Sequence, residues 1–210
     1  MWIHEHQKWP KFIWDAGTLA SKLADIRYRQ GRLLGRMEGL GFELKREASL
    51  TTLTNDVVKS SAIEGENLSP EEVRSSIANR LGIDIAGLVS TSRDVEGIVE
   101  IMLDATQQFS EPLTKDRVFD WHAALFPTGR SGMRRITVGG WRTLDTDPMQ
   151  VVSGPIGKEK VHFEAPRADL LEKEMQVFFD WFDNGHNIDP VLRAGIAHFW
   201  FVTIHPFEDG

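Results

Sequence analysis

Apolar residues recur at helical spacing through most of the chain. From Asp15 to about Met37, Leu19, Leu23, Ile26, Leu33 and Leu34 form a stripe, with Asp15 placed to cap the start and Gly39 and Gly41 to stop the helix. A second helix is predicted from about Phe42 to Ile63, where Leu44, Leu50, Leu53, Val57 and Val58 repeat the pattern. It ends in Ser60-Ser61-Ala62-Ile63-Glu64-Gly65, with Gly65 as a natural terminator. Ser69-Pro70-Glu71-Glu72 joins an N-cap serine to proline at the first helical position and acids in the first turn, so a third helix should reach about Asn79. Two more helices are predicted over 92–109 (Val95, Ile98, Val99, Met102, Leu103, Phe109) and over 114–126, where Val118, Trp121, His122, Leu125 and Phe126 face inward. Residues 127–132 read as a turn-rich connector.

The helical period disappears between Trp141 and Pro166. The β-prone runs Met149–Ser153 and Lys160–Glu164 flank Gly154-Pro155-Ile156-Gly157, so they read as a hairpin, the one strand pair the pattern predicts. Its outer edges can template an extended peptide. Helical spacing resumes from Arg167 to Asn184. Asp189-Pro190 then opens a last helix whose apolar residues lie nearly all round it, which predicts a place in the middle of a domain. Pro206 biases the preceding residue away from helical angles and limits that helix to about Ile204. The tryptophan-rich start (Trp2, Trp9, Trp14) reads as an extended arm packing on a neighbour, and Gly82–Gly87 as a boundary. The expected fold class is mainly α with one hairpin, in two parts, 1–85 and 86–210.

Composition narrows the class of partner. The 210 residues carry 24 Lys+Arg against 31 Asp+Glu, a formal net charge of −7, which argues against broad phosphate-backbone binding, though not against a local basic pocket, so no nucleic-acid binding is evident. With no cysteine, disulfides and thiolate metal sites are excluded. No signal-peptide pattern opens the chain, and no apolar run approaches the roughly 20 residues a membrane span needs. The expectation is a cytoplasmic protein without a membrane partner. His4 and His6 lack a third ligand and read as a surface feature, and His122, on an apolar face, as a hydrogen-bonded core histidine.

The chemistry gathers at Ile204-His205-Pro206-Phe207-Glu208-Asp209-Gly210. A rigid helix exit delivers His205, which can accept a proton near neutral pH. Asp209 is a hard oxygen ligand suited to magnesium, and magnesium usually arrives with phosphates. Gly210 permits backbone angles from which N–H groups cradle an anion. Base, metal ligand and anion nest together suit phosphoryl or nucleotidyl transfer. The same turn also reads as a polar helix terminator. Upstream, Ser60 and Glu64 share a face at a helix C-terminus, where a carboxylate meets the unfavourable end of the dipole and is balanced by solvent or by a cation elsewhere.

His205-Pro206-Phe207-Glu208-Asp209-Gly210 resembles the first six positions of the Fic-family motif HPFx(D/E)GNGRxxR, and Ile196–Ile204 resembles the Fic core helix. Ser60-Ser61-Ala62-Ile63-Glu64-Gly65 resembles the family's inhibitory motif (S/T)xxxE(G/N), and the opening resembles the helical N-terminal domain that often accompanies it. The resemblance implies a Fic-like helical bundle with a β-hairpin flap near 149–164, behind a helical region that includes an inhibitory helix over 50–65. It implies a protein adenylyltransferase that moves AMP from ATP, with Mg2+, to a Ser, Thr or Tyr hydroxyl of a target protein docked on the flap. In that scheme His205 is the catalytic base, Asp209 the metal ligand, and Gly210, Val152 and Ser153 belong to the nucleotide-binding set. Phe207 anchors the loop, and Ser60, Glu64 and Gly65 are regulatory, Glu64 pairing with the last arginine of the motif. AMP removal, transfer of another phosphate-containing group and an inactive binding module stand as alternatives, and a second copy of the chain as a further candidate partner. Because the Asn-Gly-Arg-x-x-Arg half of the motif is absent, the expectation is a truncated or cleaved form, inactive as a 210-residue chain.

Overall fold

A computed structural model describes residues 1–210 apart from Glu64, Thr146, Asp147, Ile156 and His186. Local signals set most element boundaries. Helix α1 (Ala16–Glu38) begins where the Asp15 carboxylate accepts from the Thr18 amide, at 3.1 Å. Helix α2 (Phe42–Ile63) keeps its predicted limits, and α3 (Pro70–Leu81) starts on the Ser69 cap with Pro70 at N1 and runs two residues past Asn79. Helices α4 (Arg93–Gln107), α5 (Lys115–Leu125) and α6 (Leu171–Asn184) follow, the last preceded by a 3-10 turn over Ala168–Leu170. Helix α7 (Pro190–Ile204) has its N-cap at Asp189, which accepts from the Val191 amide.

Two antiparallel ribbons interrupt the helices. Strands β1 (Arg130–Ser131), in the segment expected to be a connector, and β2 (Arg134–Arg135), just after it, pair with each other, and β3 (Gln150–Ser153) and β4 (Lys160–Glu164) form the predicted hairpin. The second ribbon carries a bulge between Val151 and Val152.

The chain divides into two compact units. One comprises Asp15–Glu111 with 124–127, and its core is Leu50, Val57, Val73, Ile77, Ala78, Val95, Val99 and Leu103. Helix α4, placed beyond the expected boundary near 85, therefore packs with α2 and α3, because its stripe of Val95, Val99 and Leu103 is buried against theirs. Phe109 lies outside α4 and is 81% exposed. The stripe on α1 is only partly covered: Leu19, Leu23 and Ile26 are half-buried, no residue of α1 is buried, and Leu33 and Leu34 are exposed.

The other unit comprises Met1–Trp14, Pro112–Ala123 and Thr128–Gly210. Its core joins Leu113, Val118, Leu171, Met175, Phe178, Phe179, Trp200, Ile204 and Phe207. The N-terminal arm packs on this core. Trp9 meets Trp200 edge-on at 5.9 Å and donates its indole N–H to Glu174 at 2.9 Å, while Phe12 packs on Phe199 and Trp200. Trp2 and His4 both stand edge-on to Phe163 of β4, so His4 is half-buried rather than a surface group. Helix α7 is less central than its composition predicts. Trp200, Thr203 and Ile204 are buried, yet Phe199 and Val202 remain exposed, because the described residues cover only one side of the helix.

Candidate active site

The last turn of α7 is tied down from several directions. His205 is its C-cap, with its amide donating to the Phe201 carbonyl at 2.9 Å and its backbone left-handed, φ 48 and ψ 67. It is the one non-glycine among the described residues with positive φ, a conformation that needs support from its surroundings. Arg142 supplies that support. Its guanidinium is buried, donating through Nε to the His205 carbonyl at 2.8 Å and through Nη2 to the carbonyls of Pro166 and Ile204. Its own amide donates to the Pro206 carbonyl at 2.9 Å. A cation thus satisfies carbonyls at the negative end of the α7 dipole and fixes the backbone that carries His205.

The next residue pair anchors the loop in the core. Phe207 is buried, as an anchor should be, and stacks on the His122 ring at 4.0 Å with the planes 6° apart. Trp141, Phe119 and Phe201 complete its surroundings. His122 is the hydrogen-bonded core histidine expected from its apolar face. Its Nδ1 accepts the Gly139 amide at 3.1 Å, which leaves the Nε2 proton to donate to the Asp209 carbonyl at 2.9 Å. Burial holds its pKa below the ordinary value, against the opposing pull of Asp209 and Glu208, so the ring is neutral at pH 7.

The two acids of the loop are sorted by their partners. The Glu208 side chain is only 7% exposed and accepts from the Thr137 hydroxyl at 2.6 Å and the Thr137 amide at 3.3 Å, with Arg134 at 4.0 Å. Asp209 is exposed, accepting from the Ser131 hydroxyl on one oxygen and the Gly210 amide, at 2.9 Å, on the other. Gly210 has φ 99, a conformation glycine adopts without strain. His205 itself is half-buried, and its pKa lies below the ordinary histidine value, first through burial and then through the Arg142 charge, with Asp209 opposing. A neutral imidazole on a fixed backbone can take a proton.

Magnesium is the cofactor that the resemblance implies for this loop. No group of three or more His, Asp or Glu side chains that could cage a metal exists among the described residues. Asp209 alone offers an exposed carboxylate, while Glu208 is turned into the Thr137 pocket. That donor set suits magnesium, which commonly binds one or two carboxylates together with substrate phosphates.

The remaining predicted residues sit elsewhere. Val152 and Ser153 lie on β3, opposite Val161 and Lys160, and Ser153 shares a hydrogen bond with His162 at 2.6 Å. No hydrogen bond among the described residues joins either of them to the His205 loop, so their nucleotide role rests on the resemblance alone. In the other unit, Ser60 is an exposed residue in the last turn of α2, and Gly65 closes that end with φ 89. Glu64 lies outside the described residues. Arg142, Ser131 and Thr137 are the functional residues that the sequence pattern misses. They stand in a stretch without period, where a lone arginine after a tryptophan carries no signal of what it will cap.

Residues 112–210 match the Fic/DOC family, and residues 2–83 match a domain of unknown function, DUF4172. Among solved structures the chain resembles a Fic family protein from Desulfovibrio desulfuricans G20, at 25% identity over 96% of this chain and 55% of that one, with a TM-score of 0.55. A Fic domain containing signaling protein from Bacteroides thetaiotaomicron VPI-5482 matches at 19% identity over 84% of this chain and 64% of that one, TM-score 0.58. A Fic-1 chain from C. elegans matches at 22% identity over 92% of this chain and 55% of its own length, TM-score 0.55. The chain spans between 55% and 64% of the length of these relatives. The fold of one core helix ending in a capped His205, the loop that follows it and these matches together establish that the chain carries a Fic/DOC-family domain over residues 112–210, behind a DUF4172 region.

Proposed function

We propose that this chain belongs to a protein adenylyltransferase, with His205 as general base. The hydroxyl oxygen of a target Ser, Thr or Tyr attacks the α-phosphorus of ATP as its proton passes to the His205 imidazole. The new O–P bond forms as the bond from that phosphorus to the pyrophosphate breaks. Asp209 would hold magnesium, which neutralises charge on the phosphates when bound. Arg142 keeps the His205 backbone in place, and His122 and Ser131 hold Asp209 from its carbonyl and its carboxylate sides. The observation that carries this reading is the neutral, backbone-locked His205 four residues before the exposed Asp209 carboxylate. The exposed outer edges of β3 and β4 suit capture of the target as an added strand, and Glu64 is assigned the inhibitory role.

The test expresses the coding sequence to its own stop codon and supplies ATP labelled at the α- or the γ-phosphate. Label retained on protein from the α-position only supports AMP transfer. Retention from the γ-position only assigns a kinase-type reaction instead, and no retention from either position contradicts transfer.

A further inference from the structure

The β1–β2 ribbon breaks a rule of strand pairing. Arg130 and Arg135 are directly opposite each other in its register, and both are exposed. Like charges at facing positions destabilise a ribbon, yet this chain, with a net charge of −7, sets two there. The neighbouring pair, Ser131 and Arg134, shows which way the ribbon faces. Ser131 donates to the Asp209 carboxylate and Arg134 lies 4.0 Å from Glu208, so that face is turned to the His205 loop. Successive side chains point to opposite faces of a strand, which sets Arg130 and Arg135 on the face turned away from those acids. Arg130 gives one N–H to the Met133 carbonyl at 2.9 Å, and Arg135 has no ion-pair partner among the described residues. Two arginines thus face each other across the ribbon with no neutralising acid among the described residues. Guanidinium is the group best matched to planar, bidentate recognition of an oxyanion.

We infer that Arg130 and Arg135 form a clamp for an acidic segment, rich in Asp and Glu, of a protein partner. The clamp faces away from Asp209, so it is not placed for the nucleotide phosphates that Asp209 serves. Two forks on a short ribbon match one or two carboxylates, whereas the chain's overall negative charge opposes a long phosphate backbone. If the transfer reading above holds, the partner is the modified protein. Its modified hydroxyl then lies near acidic residues, because the other face of the ribbon is bonded to Asp209.

The test measures fluorescence anisotropy of labelled peptides with the chain and with an Arg130→Gln/Arg135→Gln variant. The peptides hold one threonine flanked by aspartate and glutamate, or by glycine and serine. A single-stranded DNA oligonucleotide of equal charge and a labelled ATP analogue form two further arms. The expected result is acidic-peptide binding that weakens at least tenfold in the variant and weakens with added salt. The glycine–serine peptide and the nucleotide should be unaffected. Equal binding of the acidic peptide to chain and variant overturns the inference, as does binding of the DNA with the same arginine dependence. Melting temperatures within a few degrees of each other show that the variant is folded, and Arg130→Lys/Arg135→Lys should restore part of the binding. Because binding is read without transfer, an acidic peptide that binds through the arginines but receives no AMP supports the clamp while counting against the reaction.

Discussion

The two helix ends that resemble Fic-family motifs are built in opposite ways. The end of α7 is held by other segments of its unit: Arg142 on its carbonyls, His122 under Phe207, Thr137 on Glu208 and Ser131 on Asp209. Among the described residues, the hydrogen bonds that close the end of α2 are local, from the Gly65 amide to the Ala62 carbonyl and from the Glu66 amide to the Ser61 carbonyl. Catalytic geometry needs a backbone that cannot drift, and long-range bonds provide it. An end with only local bonds opens at lower cost, which is what the inhibitory role proposed for Glu64 would require.

Substitutions at the two ends should therefore act with different size and sign. The largest effect belongs to His205→Ala, which removes the base and should lower AMP transfer by about 10²–10⁴-fold in an α-label assay. Arg142→Gln leaves buried carbonyls short of donors and should cost about 3 kcal/mol of stability, read by denaturant unfolding, with a fall in transfer even under conditions where the variant is folded. At the other end, Glu64→Gly should raise transfer several-fold, and unchanged or lower activity would count against an inhibitory role. Gly65→Ala is the mildest. Open space surrounds the position, so only the strain of φ 89 opposes a side chain, and the cost should be about 1 kcal/mol with no loss of the base.

Local signals were the legible part of this fold. The caps at Asp15, Ser69 and Asp189, the full span of α2 and the β3–β4 hairpin follow from residue chemistry within a few positions. What escaped needs partners distant in sequence. The apolar stripe of α1 predicts a buried face, yet periodicity cannot say whether another element arrives to cover it. The same gap hid the packing of α4 with α2 and α3, since an amphipathic helix does not name its neighbour. At the site, His205, Phe207 and Asp209 stand in one readable motif. Arg142 does not, because a buried guanidinium bonded to carbonyls looks in sequence like any other arginine.

Acid should act on the well-held end first. The pKa values of His122 and His205 both lie below the unfolded value near 6.5, chiefly because burial disfavours the charged rings. Below that pH the unfolded chain binds protons that the folded chain resists, so stability is lost as pH falls from about 6.5 toward the folded pKa values and no further beneath them. The central claim, a neutral base fixed on a capped helix end, is tested most directly by following the His205 ring through a pH titration with heteronuclear NMR. The account predicts a titration midpoint below 6.5, rising when Arg142 is replaced by glutamine. A midpoint at or above 6.5 in the unaltered chain would contradict it.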